Sequence, residues 1–238
     1  MTASSLARVL EPEVMDSDDD AREYDAMDHS AVNALFITDL LTALTDWSLQ
    51  RPVPSDPAPL KILDLGAGTA QIPIELARRE PRAHVNAIDA AQSMLKLAST
   101  NVAAAGMLDR IELIHADAKR LPFDSAAFPV VVSNSIVHHI AEPQVVIAEA
   151  VRVTMPGGLL FHRDLVRPND ETQLIHLVGA YAGDATPYQR KLFADSLRAA
   201  LTFCEVQQLV AEFGFSMGTV RMSSDRHWTW AAIKKVPP

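Results

Sequence analysis

From Leu60 to Leu165 the chain alternates short apolar runs with amphipathic stretches, and this alternation limits the folds open to it. "KILDLGA", "AHVNAID", "RIELIHAD", "PVVVSNS" and "GGLLFHRDL" have strand length and are apolar on both faces, as strands covered on both sides must be. "AQIPIELARRE", "AAQSMLKLASTNVAAAG" and "EPQVVIAEAVRVT" carry helical periodicity. Pro73 places the first helix start near Thr69 or Ala70, and Gly106 ends the second. Right-handed crossovers turn such a series into an α/β fold with an open, doubly wound parallel sheet. Two late runs, "SMGTVRMS" and "RHWTWAAIKK", flank a short turn and are expected to pair antiparallel at the sheet edge. Trp228 and Trp230 alternate onto one face of the last strand and read as packing residues.

In a doubly wound sheet ligands bind beyond the carboxyl ends of the strands. The stretch "ILDLGAGTA" lies at such an end. Gly66 and Gly68 allow close approach to backbone N–H groups at a helix start. Asp89 closes the next strand 21 residues after Gly68, a spacing suited to a carboxylate that accepts both ribose hydroxyls. The dinucleotide pattern wants a third glycine where Gln71 stands, and the Gly-Lys-Ser/Thr of a phosphate loop is absent. Asp64 would repel a pyrophosphate but attract an ammonium group. An adenosine ligand with a cationic amino-acid half satisfies both acids.

These residues carry a resemblance. "LDLGAGTA", "AIDAAQSMLKLA", "ADAKRLPF", "SNSIVHHIAEP" and "MPGGLLFHRDL" resemble, in order, the motifs of the class I S-adenosylmethionine-dependent methyltransferases, which have a Rossmann-like core. The family's third glycine falls at Ala70. The resemblance implies a mostly parallel seven-stranded sheet with an antiparallel edge strand, and roles for matching positions. Asp64, Gly66 and Gly68 would serve the methionine end and Asp89 the ribose. Ala90 and Met94 would flank the adenine, Asp117 and the Ala118 backbone would meet its amino group, and Asn134 and Ser135 would face the methionine portion. S-adenosylmethionine is the expected cofactor and S-adenosylhomocysteine the product.

His138 and His139 follow the fourth strand and are candidates for a general base. No metal site is expected, because neither His29 nor His162 stands at ligand-like spacing from that pair. Tyr24, Asp28 or His29 are candidates to close the site; alternatively Asp28 or Ser30 caps the helix that follows. Arg163 suits an anionic acceptor group, or pairs with Asp164 as an anchor for the loop.

The formal net charge of -9 disfavours a nucleic-acid partner, and no apolar run is long enough to cross a membrane. The first twenty residues do not read as a signal peptide. The lone Cys204 reads as a buried, inert thiol in a reducing cytoplasm. Residues 11–25 read as a solvated acidic arm. A helix over 30–49 follows, with Val32, Leu35, Phe36, Leu40, Leu44 and Trp47 inward, docked on its own core or on a second copy in a homodimer.

The expected division is residues 1–59 as arm and helix, 60–167 as cofactor-binding core, 168–204 as a helical cap over the acceptor with the arm, and 205–238 as the final helix and two strands. The expected activity is methyl transfer to a small-molecule acceptor. A non-catalytic binder of the same cofactor and a nicotinamide-dependent oxidoreductase are the rival readings.

Overall fold

A computed structural model describes residues 6–12, 16–27, 29–50 and 58–236. The expectations for Asp28, for the Pro-rich linker over 51–57 and for the first five residues lie outside these. The sheet has seven strands in the order β3-β2-β1-β4-β5-β7-β6. They are β1 (Leu60–Leu65), β2 (Ala83–Asp89), β3 (Ile111–His115), β4 (Phe128–Asn134), β5 (Thr154–Leu165), β6 (Val220–Met222) and β7 (His227–Ile233). β1 runs parallel to both β2 and β4, so the order reverses beside β1 and the switch point lies at Asp64, Leu65 and Asn134. β6 pairs antiparallel with β7 at the edge, as expected.

Eight helices complete the described fold: α1 (Asp18–Asp25), α2 (Ser30–Leu49), α3 (Gln71–Arg79), α4 (Gln92–Ala104), α5 (Pro143–Val153), α6 (Glu171–Ala182), α7 (Pro187–Ala199) and α8 (Phe203–Glu212). None is long and apolar enough to cross a membrane. The chain divides into two compact units.

The larger unit takes residues 14–134, 145–162 and 231–238. Its core joins Phe36, Leu40 and Leu44 of α2 to Ile62, Val85, Val130 and Phe161 of the strands. Phe36 and Phe161 meet edge to face at 5.4 Å between ring centroids, and Trp47 Nε1 donates to the Gly157 carbonyl at 2.9 Å. The inward stripe of α2 differs from expectation at one turn: Ile37 is buried and Leu35 is 64% exposed. Leu35 and Ile37 are two residues apart, so a rotation of the helix that buries one exposes the other.

The acidic arm is structured over α1. Asp16 accepts from the Ser93 backbone N–H in the first turn of α4, at 2.9 Å, and Asp18 meets Lys96 at 3.0 Å. A carboxylate on a helix N-terminus and an ion pair give the acids local partners. Ala21 is buried against Ala91 and Met94.

The smaller unit takes residues 1–13, 135–144 and 163–230. Leu165, Leu174, Leu177, Leu197 and Ala200 form its core, with Leu6 against it. Backbone bonds from Leu6 to Asn169 and from Val9 to Arg198 fix residues 6–12 to the helical segment. The long helical stretch from Pro187 breaks at Ala200–Thr202. Thr202 and Glu205 form a capping box that starts α8, and Thr186 with Gln189 does the same for α7. Cys204 is exposed on α8, contrary to the buried thiol expected. Trp228 and Trp230 are buried, and Trp230 packs edge to face on Phe215.

Replacing Phe161 with Ala removes a fully buried ring and should cost about 3–5 kcal/mol. Leu35→Ala should stay within about 0.5 kcal/mol. Urea unfolding of both variants beside the parent measures the difference.

Candidate cofactor site

β1 delivers Asp64 and Leu65 to the switch point, and the chain then turns through Gly66 (φ 74°), Gly68 (φ 55°) and Ala70 (φ 64°) before α3 begins. The left-handed φ at Gly66 and Gly68 is the physical need for glycine there. Ala70 adopts the same region with a side chain, so the position the family fills with glycine keeps glycine-like geometry here at a modest conformational cost. The backbone N–H groups of Gly66 and Ala67 donate to the Ile88 carbonyl of β2.

Asp89, at the end of β2, completes the turn. One carboxylate oxygen accepts from the Gly68 N–H and the other from the Ala91 N–H, each at 2.8 Å. Asp64 is 3% exposed, and burial with the nearby Asp89 charge raises its pKa to about 7. Tyr24 of α1 covers the turn: a Cβ added at Gly68 would stand 3.7 Å from Tyr24 Cε1. Asp25 Oδ1 accepts from Gln71 and Asn101, and Asn101 also donates to the Thr69 carbonyl, so α1 is tied to both sides of the loop. His29 stacks near Tyr24 at 4.9 Å and is the N-cap residue of α2, where Ser30 was also considered from sequence.

A cavity of about 30 Å³ is lined by Tyr24, Asn33, Asp64, Gly66, Thr69 and Asn134, among others. Asn134 Oδ1 is buried there without a hydrogen-bond partner. A buried acceptor left open beside a buried carboxyl fits a cationic ammonium group, and a carboxylate at the end of β2 is the acceptor type that a ribose diol needs. The residues present therefore suit S-adenosylmethionine.

The other expected positions are placed as follows. Met94 is buried against α1, and the Ala90 carbonyl lies 2.9 Å from His115 Nε2. Ala118 is buried. Asp117 is half exposed and accepts from the Lys119 backbone N–H at 2.8 Å. Ser135 has a left-handed φ of 61°, and its N–H donates to the Arg163 carbonyl. Arg163 is buried and donates through Nε to Thr229 Oγ1 at 2.8 Å. Asp164 accepts from His138, and Arg167 pairs with Glu205.

His138 and His139 form a 3₁₀ turn, Val137–His139, in the smaller unit. His138 donates through Nδ1 to Asp164 Oδ1 at 2.5 Å, and its backbone N–H donates to Asp164 Oδ2. Burial pushes this imidazole down, but Asp164 and Glu11 more than offset it, so it titrates above the ordinary histidine range. Burial and the adjacent His138 charge hold His139 below that range. Of the two candidate bases, His139 is the neutral one. Sequence reading passed over Arg8, Glu11, Asp16, Asp25 and Asn101, because each acts on a partner distant in the chain.

Comparison with known proteins adds the relationship. Residues 62–158 match the family described as "Methyltransferase domain". A ubiquinone/menaquinone biosynthesis C-methyltransferase UbiE of Roseobacter denitrificans is 29% identical over 190 residues, covering 75% of this chain and 73% of that protein. UbiE of Cereibacter sphaeroides is 34% identical over 118 residues, but the match spans 50% of this chain and only 45% of the relative. Among solved structures, an S-adenosylmethionine-dependent methyltransferase of Methanococcus maripaludis superposes with a TM-score of 0.71 at 17% identity, covering 97% and 99% of the two chains. The plantazolicin methyltransferase BpumL, solved with S-adenosylhomocysteine, gives 0.67 at 15% identity over 91% and 90%. Such identities show a shared fold.

A carboxyl with a folded pKa near 7 binds a proton that the unfolded chain has already lost, so stability falls as pH rises from about 4 to 7. Asp64→Asn should flatten that fall by up to roughly 1.4 kcal/mol per pH unit, read from urea midpoints at pH 5 and pH 7. The ordered motifs, the matched relatives and the glycine turn between two acids agree: residues 62–158 carry a methyltransferase domain, in a fold shared with S-adenosylmethionine-dependent methyltransferases.

Proposed function

We propose that the protein transfers the methyl group of S-adenosylmethionine to a small-molecule acceptor, with Asp64 and Asn134 holding the cationic amino end and Asp89 the ribose. One observation carries the reading: a buried carboxyl and an unpaired buried amide oxygen line the same cavity at the end of β1. The cofactor, when bound, supplies an electrophilic methyl on a sulfonium. The chain's part is alignment and exclusion of water. Gly66 and Gly68 bring backbone to the ligand, Ala90 and Met94 flank the adenine, and the Asp117 carboxylate accepts from its amino group with the Ala118 backbone alongside.

The small-molecule reading draws on the relatives, which are named for quinone and plantazolicin methylation. It also fits the acidic balance of the chain. Tyr24 and α1 act as a cover over the cofactor, because Tyr24 lies over the glycine turn and lines the same cavity as Asp64.

Calorimetric titration tests the reading. S-adenosylmethionine should bind saturably and NADH should not. Asp89→Ala should weaken binding by about 10- to 100-fold, the loss of charge-assisted hydrogen bonds worth about 1.5–3 kcal/mol. Tyr24→Ala should speed cofactor release in stopped flow while the fold is kept. Saturable NADH binding in place of S-adenosylmethionine would overturn the assignment. Binding without turnover across small acceptors would favour the non-catalytic reading.

A further inference from the structure

Glu11 meets both histidines of the 3₁₀ turn through a single oxygen. Its Oε1 lies 3.0 Å from His139 Nδ1 and 3.5 Å from His138 Nε2. The three atoms all fall within 4.8 Å of one another. The two rings stack at 4.0 Å, tilted by 35°. His139 Nδ1 is buried and, although so near the carboxylate, makes no hydrogen bond. The nitrogen is close to the oxygen without being aimed at it. The three donor atoms are near enough to reach one ion once the two rings part slightly.

We propose that Glu11 Oε1, His138 Nε2 and His139 Nδ1 form a zinc site with a fourth position open to water. Ligands on a tetrahedral zinc with bonds of about 2.0 Å stand about 3.3 Å apart, and the 3.0 and 3.5 Å separations bracket that edge. Two imidazoles and one carboxylate suit Zn²⁺, whereas magnesium and calcium favour all-oxygen shells. Three protein ligands with one free position are the pattern of an open zinc site.

The surroundings are those of a prepared site. Asp164 accepts from His138 Nδ1–H, which leaves Nε2 to carry the lone pair and fixes the ring. Ser196 Oγ donates to the Glu11 carboxylate at 3.2 Å. Arg8 pins the segment that carries Glu11: its guanidinium donates to the carbonyls of Ile140 at 2.9 Å and Ala199 at 2.6 Å, with longer bonds to His138 and Ala141. In the neutral ring Nε2 offers that lone pair to the metal; in the charged ring metal entry first releases the Nε2 proton to solvent. The zinc would staple residues 6–12 to the turn Val137–His139.

The test uses the full chain, stripped with a chelator and titrated with zinc chloride, with bound metal counted after dialysis. The account expects one retained equivalent. Glu11→Gln and His139→Ala should each weaken binding at least tenfold, while His176→Ala, an exposed histidine on α6, should leave it unchanged. Cobalt(II) should give the visible bands of a four-coordinate site in the parent and lose them in His139→Ala. A parent chain that retains no zinc would overturn the proposal whatever the variants do. Equal retention by a folded Glu11→Gln chain would overturn it too.

Discussion

The carboxylate of Asp89 holds two backbone N–H groups at once, one from Gly68 and one from Ala91. That pair of bonds ties the glycine turn after β1 to the start of α4 after β2. Parallel pairing of β1 with β2 sets Leu65 beside Ile88, and the Ile88 carbonyl receives the N–H groups of Gly66 and Ala67. The turn therefore has little freedom. Its left-handed residues are held from the β2 side, and the space in front of it is left for a ligand. Removing the Asp89 carboxylate would release both backbone donors, so any loss of binding in that variant includes a structural part.

Asp64 is the counterpart on β1. It is buried, and Asp89 is close enough to oppose its ionisation. A carboxyl in that state is strained toward its neutral form in the free protein and gains most when a cation arrives. Asn134 at the end of β4 adds an acceptor without a partner. Two acids and an amide around a glycine turn are the chemistry on which the proposed ammonium-bearing nucleoside rests. The sheet order supplies the place, since β1 and β4 part at the switch point, and the side chains supply the chemistry. The fold alone would not decide: a [4+2]-cyclase superposes with a TM-score of 0.55.

The strand–helix alternation, the glycine turn and the Asp89 spacing were legible because each is a local pattern with a local cause. Helix α2 was legible in extent, but its facing was not, since Leu35 and Ile37 compete for the same inward stripe and tertiary packing chose between them. The helix of the acidic arm was hidden because its acids find partners in Ser93 and Lys96, far along the chain. The gap between α7 and α8 was written in Thr202 and Glu205, a capping box inside an apolar-periodic run that masked it. Arg8 and Glu11 gave no signal at all. Their meaning comes from carbonyls and imidazoles more than a hundred residues away.

The central claim is that Asp64 is a buried, partly neutral carboxyl waiting for a cation. Carbon-13 NMR of labelled aspartate carboxyls, with Asp64 assigned by Asp64→Asn, measures it directly across pH with and without S-adenosylhomocysteine. The account predicts titration near 7 in the free protein and a clear fall when the amino-acid end of the ligand is bound. Titration in the ordinary aspartate range in the free protein, or a midpoint that the ligand does not move, would contradict it.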